Sequence, residues 1–367
     1  VSMRKTLLPT LLMYLFAILT ICFALARGDT STALNIALMA GVIIAIANFR
    51  LTMSLGAINW LFVAAIALGG LTTMTGSNFF GLIPFVGAES SLAWRVSIFP
   101  KVPDTAFLSS IVLIVNLNQQ GGKKWAVYLS AFFLVFSGLR SVLMLTGASL
   151  LYIYLRKRGY LRRKVSVTLY IIASISGTLL FLLYGQLLLY QLSQALPGGL
   201  QGFLFRSGGE SVTIESIRET VYRVWLWQEH IRLVGSDWLL GMGTFDFNEV
   251  AHFPPGYSSG NGSESYWTGL FARVGVFSIL PLVAFIGWAS RHRNSDTPAA
   301  IAILLIGLGF TYGSFYAPYS MNFILMVALI INGVKIQNPP RLTLSNGTNM
   351  NLSHRVHPRD FDGERRA

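Results

Sequence analysis

Apolar stretches close to the length of a bilayer crossing alternate with short polar segments along most of this chain. They fall at about 6–26, 32–49, 56–75, 104–118, 124–138, 139–155, 165–190, 265–289, 299–315 and 319–334. A helix crossing about 30 Å of hydrocarbon needs roughly 20 apolar residues, and no ordinary soluble core needs so many such runs. The pattern predicts an all-α, polytopic membrane protein with about 10 transmembrane helices. The run at 124–138 is short enough to be tilted or re-entrant. The first run follows Arg4 and Lys5, carries no small-residue cleavage signature, and is expected to be a retained helix.

The polar segments are of two kinds. "RKRGYLRRK" (156–164) holds six basic residues and no acid, and "GGKK" (121–124) and "SRHR" (290–293) are basic as well. Short loops rich in Lys and Arg stay on the cytoplasmic side. An N-terminus inside the cell puts all three there. Ten crossings return the C-terminal segment to the same side, where Lys335, Arg341, Arg355, Arg359, Arg365 and Arg366 agree. Residues 337–367 are rich in Pro, Asn and Arg without periodicity and read as a disordered basic cytoplasmic tail, which leaves 1–336 as a single integral membrane domain. The same alternation puts 76–103 and 191–264 outside. The second of these is much the longest, with eight acidic residues against four arginines, so its arginines are not orientation markers.

Composition narrows the chemistry. The chain is 53% hydrophobic and 12% charged, with a mean hydropathy of +0.57. Its net charge of +13 sits in short loops, and no basic, aromatic-rich module is present, so no nucleic-acid partner is expected. The single cysteine, Cys22, excludes an intrachain disulfide and a cysteine-based zinc site. No metal and no cofactor are expected.

Within 191–264, Ser216 and Glu219 form a capping box and Gly235 is a stop, so about 217–234 is predicted to be a helix outside the bilayer. Helical spacing sorts its faces. Ile217, Val221, Val224 and Ile231 form an apolar stripe; Glu219, Arg223, Trp227 and His230 fall on a second face; Arg218, Tyr222, Trp225, Glu229 and Arg232 on a third. Such a helix can present guanidinium, imidazole and indole groups to a cavity. The spacing equally allows local pairs, Glu219 with Arg223 and Glu229 with Arg232, and tryptophans that only anchor at an interface.

The order of features decides how this is read. The stretch "SGGESVTIESIRETVYRVWLWQEHIRLVGSDWLLGMGTFDF" and then "GSESYWTGLFARVGVFSIL" resemble the C-terminal half of the O-antigen polymerase and O-antigen ligase superfamily of bacterial membrane glycosyltransferases. The family pattern is an arginine four residues before a tryptophan, a "P-L-L-G-x-G" turn, a polar-aromatic opening of the next helix and a glycine-bounded packing segment. Arg223 and Trp227, Gly241 and Gly243, Glu264 to Tyr266, and Gly275 follow that order. Upstream, "FSGLRS" (136–141) is similar to the family's "S-G-S-R", and "WRVSIFPKVPDTAF" (94–107) to its outer loop before a span. The likeness covers roughly 76–335. "SESYW" is nearer the acidic form of the polymerases than the ligases' histidine, and Trp238 replaces the turn's Pro.

The resemblance implies glycosyl transfer at the periplasmic face of the inner membrane, from an undecaprenyl-diphosphate-linked glycan to an acceptor hydroxyl. It also implies membrane lipid and a chain-length regulator protein as partners. A diphosphate leaving group needs charge stabilisation, which arginine's planar fork supplies without metal. Arg140 and Arg223 are the catalytic candidates, with Glu264 as the base and His252 second. Arg95, Arg218, Trp227, His230 and Tyr266 are the substrate-binding candidates. Simpler roles stay open: Arg140 snorkelling to the interface, Glu264 meeting a helix dipole, His252 in a plain loop. The alternatives for the whole chain are an O-antigen ligase acting on lipid A-core and a polysaccharide or lipid transporter. The second is disfavoured because no internal repeat is seen and the polar groups gather in one outer loop.

Overall fold

Uninterrupted apolar sequence without Pro or Gly clusters satisfies its backbone most simply as helix. The computed structural model of the chain describes residues 3–49, 51–74, 102–137, 139–161, 165–180, 225–243, 265–292, 295–312 and 320–335, and these are almost entirely helical. The helices are α1 (Met3–Ala26), α2 (Thr30–Phe49), α3 (Leu55–Met74), α4 (Val102–Asn118), α5 (Lys124–Phe136), α6 (Arg140–Lys157) and α7 (Val165–Leu180). Then follow α8 (225–234), α9 (Tyr266–Val274), a 3-10 turn (Gly275–Ser278), α10 (Ile279–Ala289), α11 (Thr297–Thr311) and α12 (Met321–Asn332). The only strands among the described residues are two short ones, β1 (Met53–Ser54) and β2 (Val334–Lys335), paired in parallel with Met53 opposite Val334.

Helix is found in every apolar run that the sequence singles out. By length and composition alone, Leu8–Ala26 and the stretch Tyr266–Ala289, which is broken at Gly275, are long and apolar enough to cross a membrane, and seven further apolar helices run to 10–17 residues.

The core is organised around α11, which is buried on all sides from Thr297 to Gly309, as expected of a helix apolar all round. It packs against α4, α6, α7, α9, α10 and α12. A Cβ at Gly307 would meet the Leu145 side chain, so glycine is what lets α6 and α11 touch there. Several polar side chains in the interior are paired. Asn59 and Asn116 exchange amide hydrogen bonds of 3.1 and 2.7 Å, Thr146 Oγ1 donates to Ser110 Oγ, and Ser149 Oγ to the Ala300 carbonyl.

Contacts distinguish two ends of the bundle. At one, β1 meets β2, Arg156 pairs with Asp296 at 3.1 Å, Gln119 reaches Thr297, and His292 lies against the Ile330 and Ile331 carbonyls. The basic segments at 121–124, 156–158 and 291–292 therefore share this end. The opposite end carries the α1–α2 turn at Arg27, the start of α6 at Arg140, and Tyr312. Helix α5 starts at the first end, where the Lys123 N–H meets Asn116, and hands over to α6 at the second. It therefore runs from one end of the bundle to the other.

Helix α9 turns back against the bundle. Phe277 stacks on Phe23, near the Arg27 end of α1, and Gly287 lies against Pro9, so α10 runs antiparallel to α1. Were α9 collinear with α10, it would leave the bundle. Instead the Tyr266 hydroxyl meets Met39 Sδ at 2.8 Å, nine residues along α2 from Thr30 and about 13 Å deep at 1.5 Å per residue. Trp267 Nε1 donates to the Ile306 carbonyl at 2.9 Å. The fold-back is at Gly275, with φ 60°, a conformation glycine adopts without steric cost. A single helix over 265–289 was the expectation; the chain makes a short inward helix and a longer one returning.

Candidate functional site

At the Arg27 end, α8, the 235–243 turn and α9 meet. Helix α8 stops at Gly235 (φ 50°), the glycine expected to end it. Its buried face differs from the predicted stripe: Leu226, Glu229, His230 and Val234 are buried, whereas Ile231 is 59% exposed. The reason is the partner. Thr268 on α9 offers a hydroxyl, and His230 Nδ1 meets it at 2.9 Å, so the helix turns its imidazole inward. Glu229 is tolerated there because Arg232 forks it through Nε at 2.8 Å and a terminal nitrogen at 2.5 Å. This is the local pair that the spacing allowed.

Burial pushes the His230 imidazole down to about 4, the Arg273 charge adds to the shift, and the Glu229 carboxylate opposes it. His230 is thus neutral at physiological pH, and its environment suits positioning better than proton acceptance near neutrality.

The turn and α9 are locked through main-chain groups. The Met242 N–H donates to the Ala272 carbonyl at 2.7 Å, Gly243 N–H to Arg273 at 3.0 Å, and Val276 N–H to Trp238 at 3.1 Å. The approach is so close that a Cβ on Gly241 would fall 2.6 Å from the Arg273 carbonyl carbon, and one on Gly275 would fall 2.5 Å from the Leu239 carbonyl oxygen. Both glycines also have positive φ. Arg27 completes the junction, donating to the Gly241 carbonyl at 2.5 Å.

Arg140 is half-buried at the first residue of α6. Its neighbour Ser141 shares a 3.0 Å hydrogen bond with the Tyr312 hydroxyl, and Tyr312 packs edge-on against Phe107. First-turn N–H groups lack intrahelical partners, so an arginine there makes an electropositive corner suited to an anion. Both the start of α6 and α9 lie against the C-terminal half of α11, one where Ser141 meets Tyr312 and the other where Trp267 meets Ile306. Trp227 is half-buried on α8, and Tyr266 opens α9 with its ring edge-on to Trp267.

Arg223, Glu264, His252, Arg95 and Arg218 lie outside the described residues, as do 337–367 and most of 191–264. Among the described residues, no group of three His, Cys, Asp or Glu could hold a metal ion. Sequence reasoning missed Arg27 and Thr268. Arg27 carried a usable signal, being a cation in the first segment that the charge rule assigns to the outside. No family model, no curated protein and no solved structure matches this chain.

Proposed function

We propose that the chain is a membrane glycosyltransferase that polymerises undecaprenyl-diphosphate-linked oligosaccharide repeat units, O-antigen or a related surface polysaccharide, at the periplasmic face of the bacterial inner membrane. The observation that carries this reading is the interlock of Gly241 with Gly275. These glycines belong to two of the motifs on which the resemblance rests, and their contact fixes the C-terminal end of α9. Membrane immersion is supported by α1, whose Leu8, Leu11, Leu15, Ile18 and Leu25 form an exposed apolar stripe that water would disfavour. The basic segments gathered at the opposite end of the bundle support the orientation.

In this reading an acceptor hydroxyl oxygen attacks the anomeric carbon of the lipid-linked sugar. The bond to the diphosphate oxygen breaks with its electron pair, and the hydroxyl proton passes to Glu264 or, second, His252. Arg140 and Arg223 stabilise the charge that grows on the diphosphate. His230, neutral and bonded to Thr268, holds α8 against α9. The test is reconstituted polymerisation of a lipid-diphosphate repeat unit, scored by ladder length per folded protein. Arg140→Ala and Arg223→Ala should each lower turnover about 10²-fold, with partial recovery in the Lys variants. Glu219→Ala is the control for a merely local Arg223 pair. Near-normal ladders from both Ala variants would refute the diphosphate assignment, and transfer to lipid A-core without polymer would favour the ligase.

A further inference from the structure

We infer that Arg27 is a positioning residue for this site, a latch reaching from the α1–α2 turn to set the tilt of helix α9. The inference rests on the polymerase reading for its activity arm and on geometry alone for the latch. Arg27 lies 214 residues from Gly241 in sequence, and its guanidinium donates to that carbonyl at 2.5 Å. The side chain also lies flat across Gly243: a Cβ there would come within 2.9 Å of Arg27 Cδ and 3.2 Å of its terminal nitrogen. The two glycines thus make one seat, with a carbonyl for the cation at Gly241 and bare backbone for the aliphatic stem at Gly243. The same turn grips the C-terminal end of α9 through the Ala272 and Arg273 carbonyls and the start of the 3-10 turn through Val276.

Helix α9 is nine residues long, about 13 Å. It is held in its first turn, at its inner end, by His230 on Thr268 and by Tyr266 and Trp267. Its inward end carries Ser265, buried, directly after Glu264 in sequence. With that end pinned, loosening the latched end lets α9 tilt about the pinned end, from which Ser265 leads in sequence to the candidate base. Arg27 itself is exposed, so changing it opens no cavity. The effect should appear in the position of α9 and not in loss of the fold.

The experiment compares the full-length protein with Arg27→Ala and Arg27→Lys by amide hydrogen exchange and by single-turnover and steady-state polymerisation. In Arg27→Ala, exchange at Met242, Gly243 and Val276 should rise roughly ten-fold while α4, α6 and α11 stay protected. The value of kcat should fall about ten-fold with KM for the lipid-linked unit within about two-fold, because the lost contact orients and does not bind. Arg27→Lys keeps a cation and a donor and should restore part of both. Unchanged exchange at the three amides overturns the latch. Raised exchange with kcat intact overturns the positioning role, as does a loss that appears only in KM. Wild-type protein that makes no polymer refutes the functional reading, and the exchange arm then decides the latch independently.

Discussion

His230 should make the folded protein acid-sensitive in a defined window. The ordinary imidazole titrates at about 6.5, and burial with Arg273 nearby lowers it in the folded chain to about 4. Above pH 6.5 both folded and unfolded forms are neutral and the group contributes nothing to pH dependence. Below it the unfolded chain takes up a proton that the folded chain refuses, so stability falls as pH falls from 6.5 to 4. Linkage puts the loss at roughly 2 kcal/mol by pH 5 and about 3 kcal/mol by pH 4. His230 is 1% exposed, so solvent screening does not reduce the figure appreciably. The assay is thermal unfolding in detergent from pH 7.5 to 4.5, comparing wild type with His230→Gln, which keeps a polar partner for Thr268 but cannot titrate. His292, also lowered by burial, contributes a second sensitivity that persists in the variant. The variant should lose the His230 part of the slope. A slope equal to that of wild type would refute the buried-neutral assignment.

Three further outcomes are expected. Gly307→Ala should destabilise by about 1–3 kcal/mol through overpacking against Leu145, and Leu145→Ala in the same chain should recover part of it, read as a shift in unfolding temperature. Asn116→Leu should cost about 1–3 kcal/mol because it orphans the buried Asn59 amide. The double variant with Asn59→Leu should cost less than the sum of the singles in a double-mutant cycle. On a Cys22→Ser background, thiol labelling should reach Glu210→Cys and Ser258→Cys from outside, and Tyr160→Cys and Ser345→Cys only after permeabilisation; outside labelling of position 160 would reverse the orientation.

Much of the architecture is legible in the order of residues. Backbone polarity leaves an apolar run few options besides helix, so the runs from 6 to 334 mark the helices within a few residues. Basic side chains resist burial, which is why the segments at 121–124, 156–158 and 291–292 come to one end together. Gly235 as the stop of α8 and Glu229 with Arg232 are local features, set by spacings of one turn. What escaped the sequence depends on partners distant along the chain. The spacing put Ile231 on the apolar stripe, yet Thr268 on another helix turned His230 inward and Ile231 out. Hydropathy counted 265–289 as one span because it measures apolar content and carries no direction, while a single positive φ at Gly275 sends α9 back into the bundle. Glycine accepts either sign of φ, so which sign it takes is settled by what crowds it, here the Leu239 carbonyl against which no Cβ would fit. Arg27 gains its role only in the fold, which brings the Gly241 carbonyl within reach of its guanidinium.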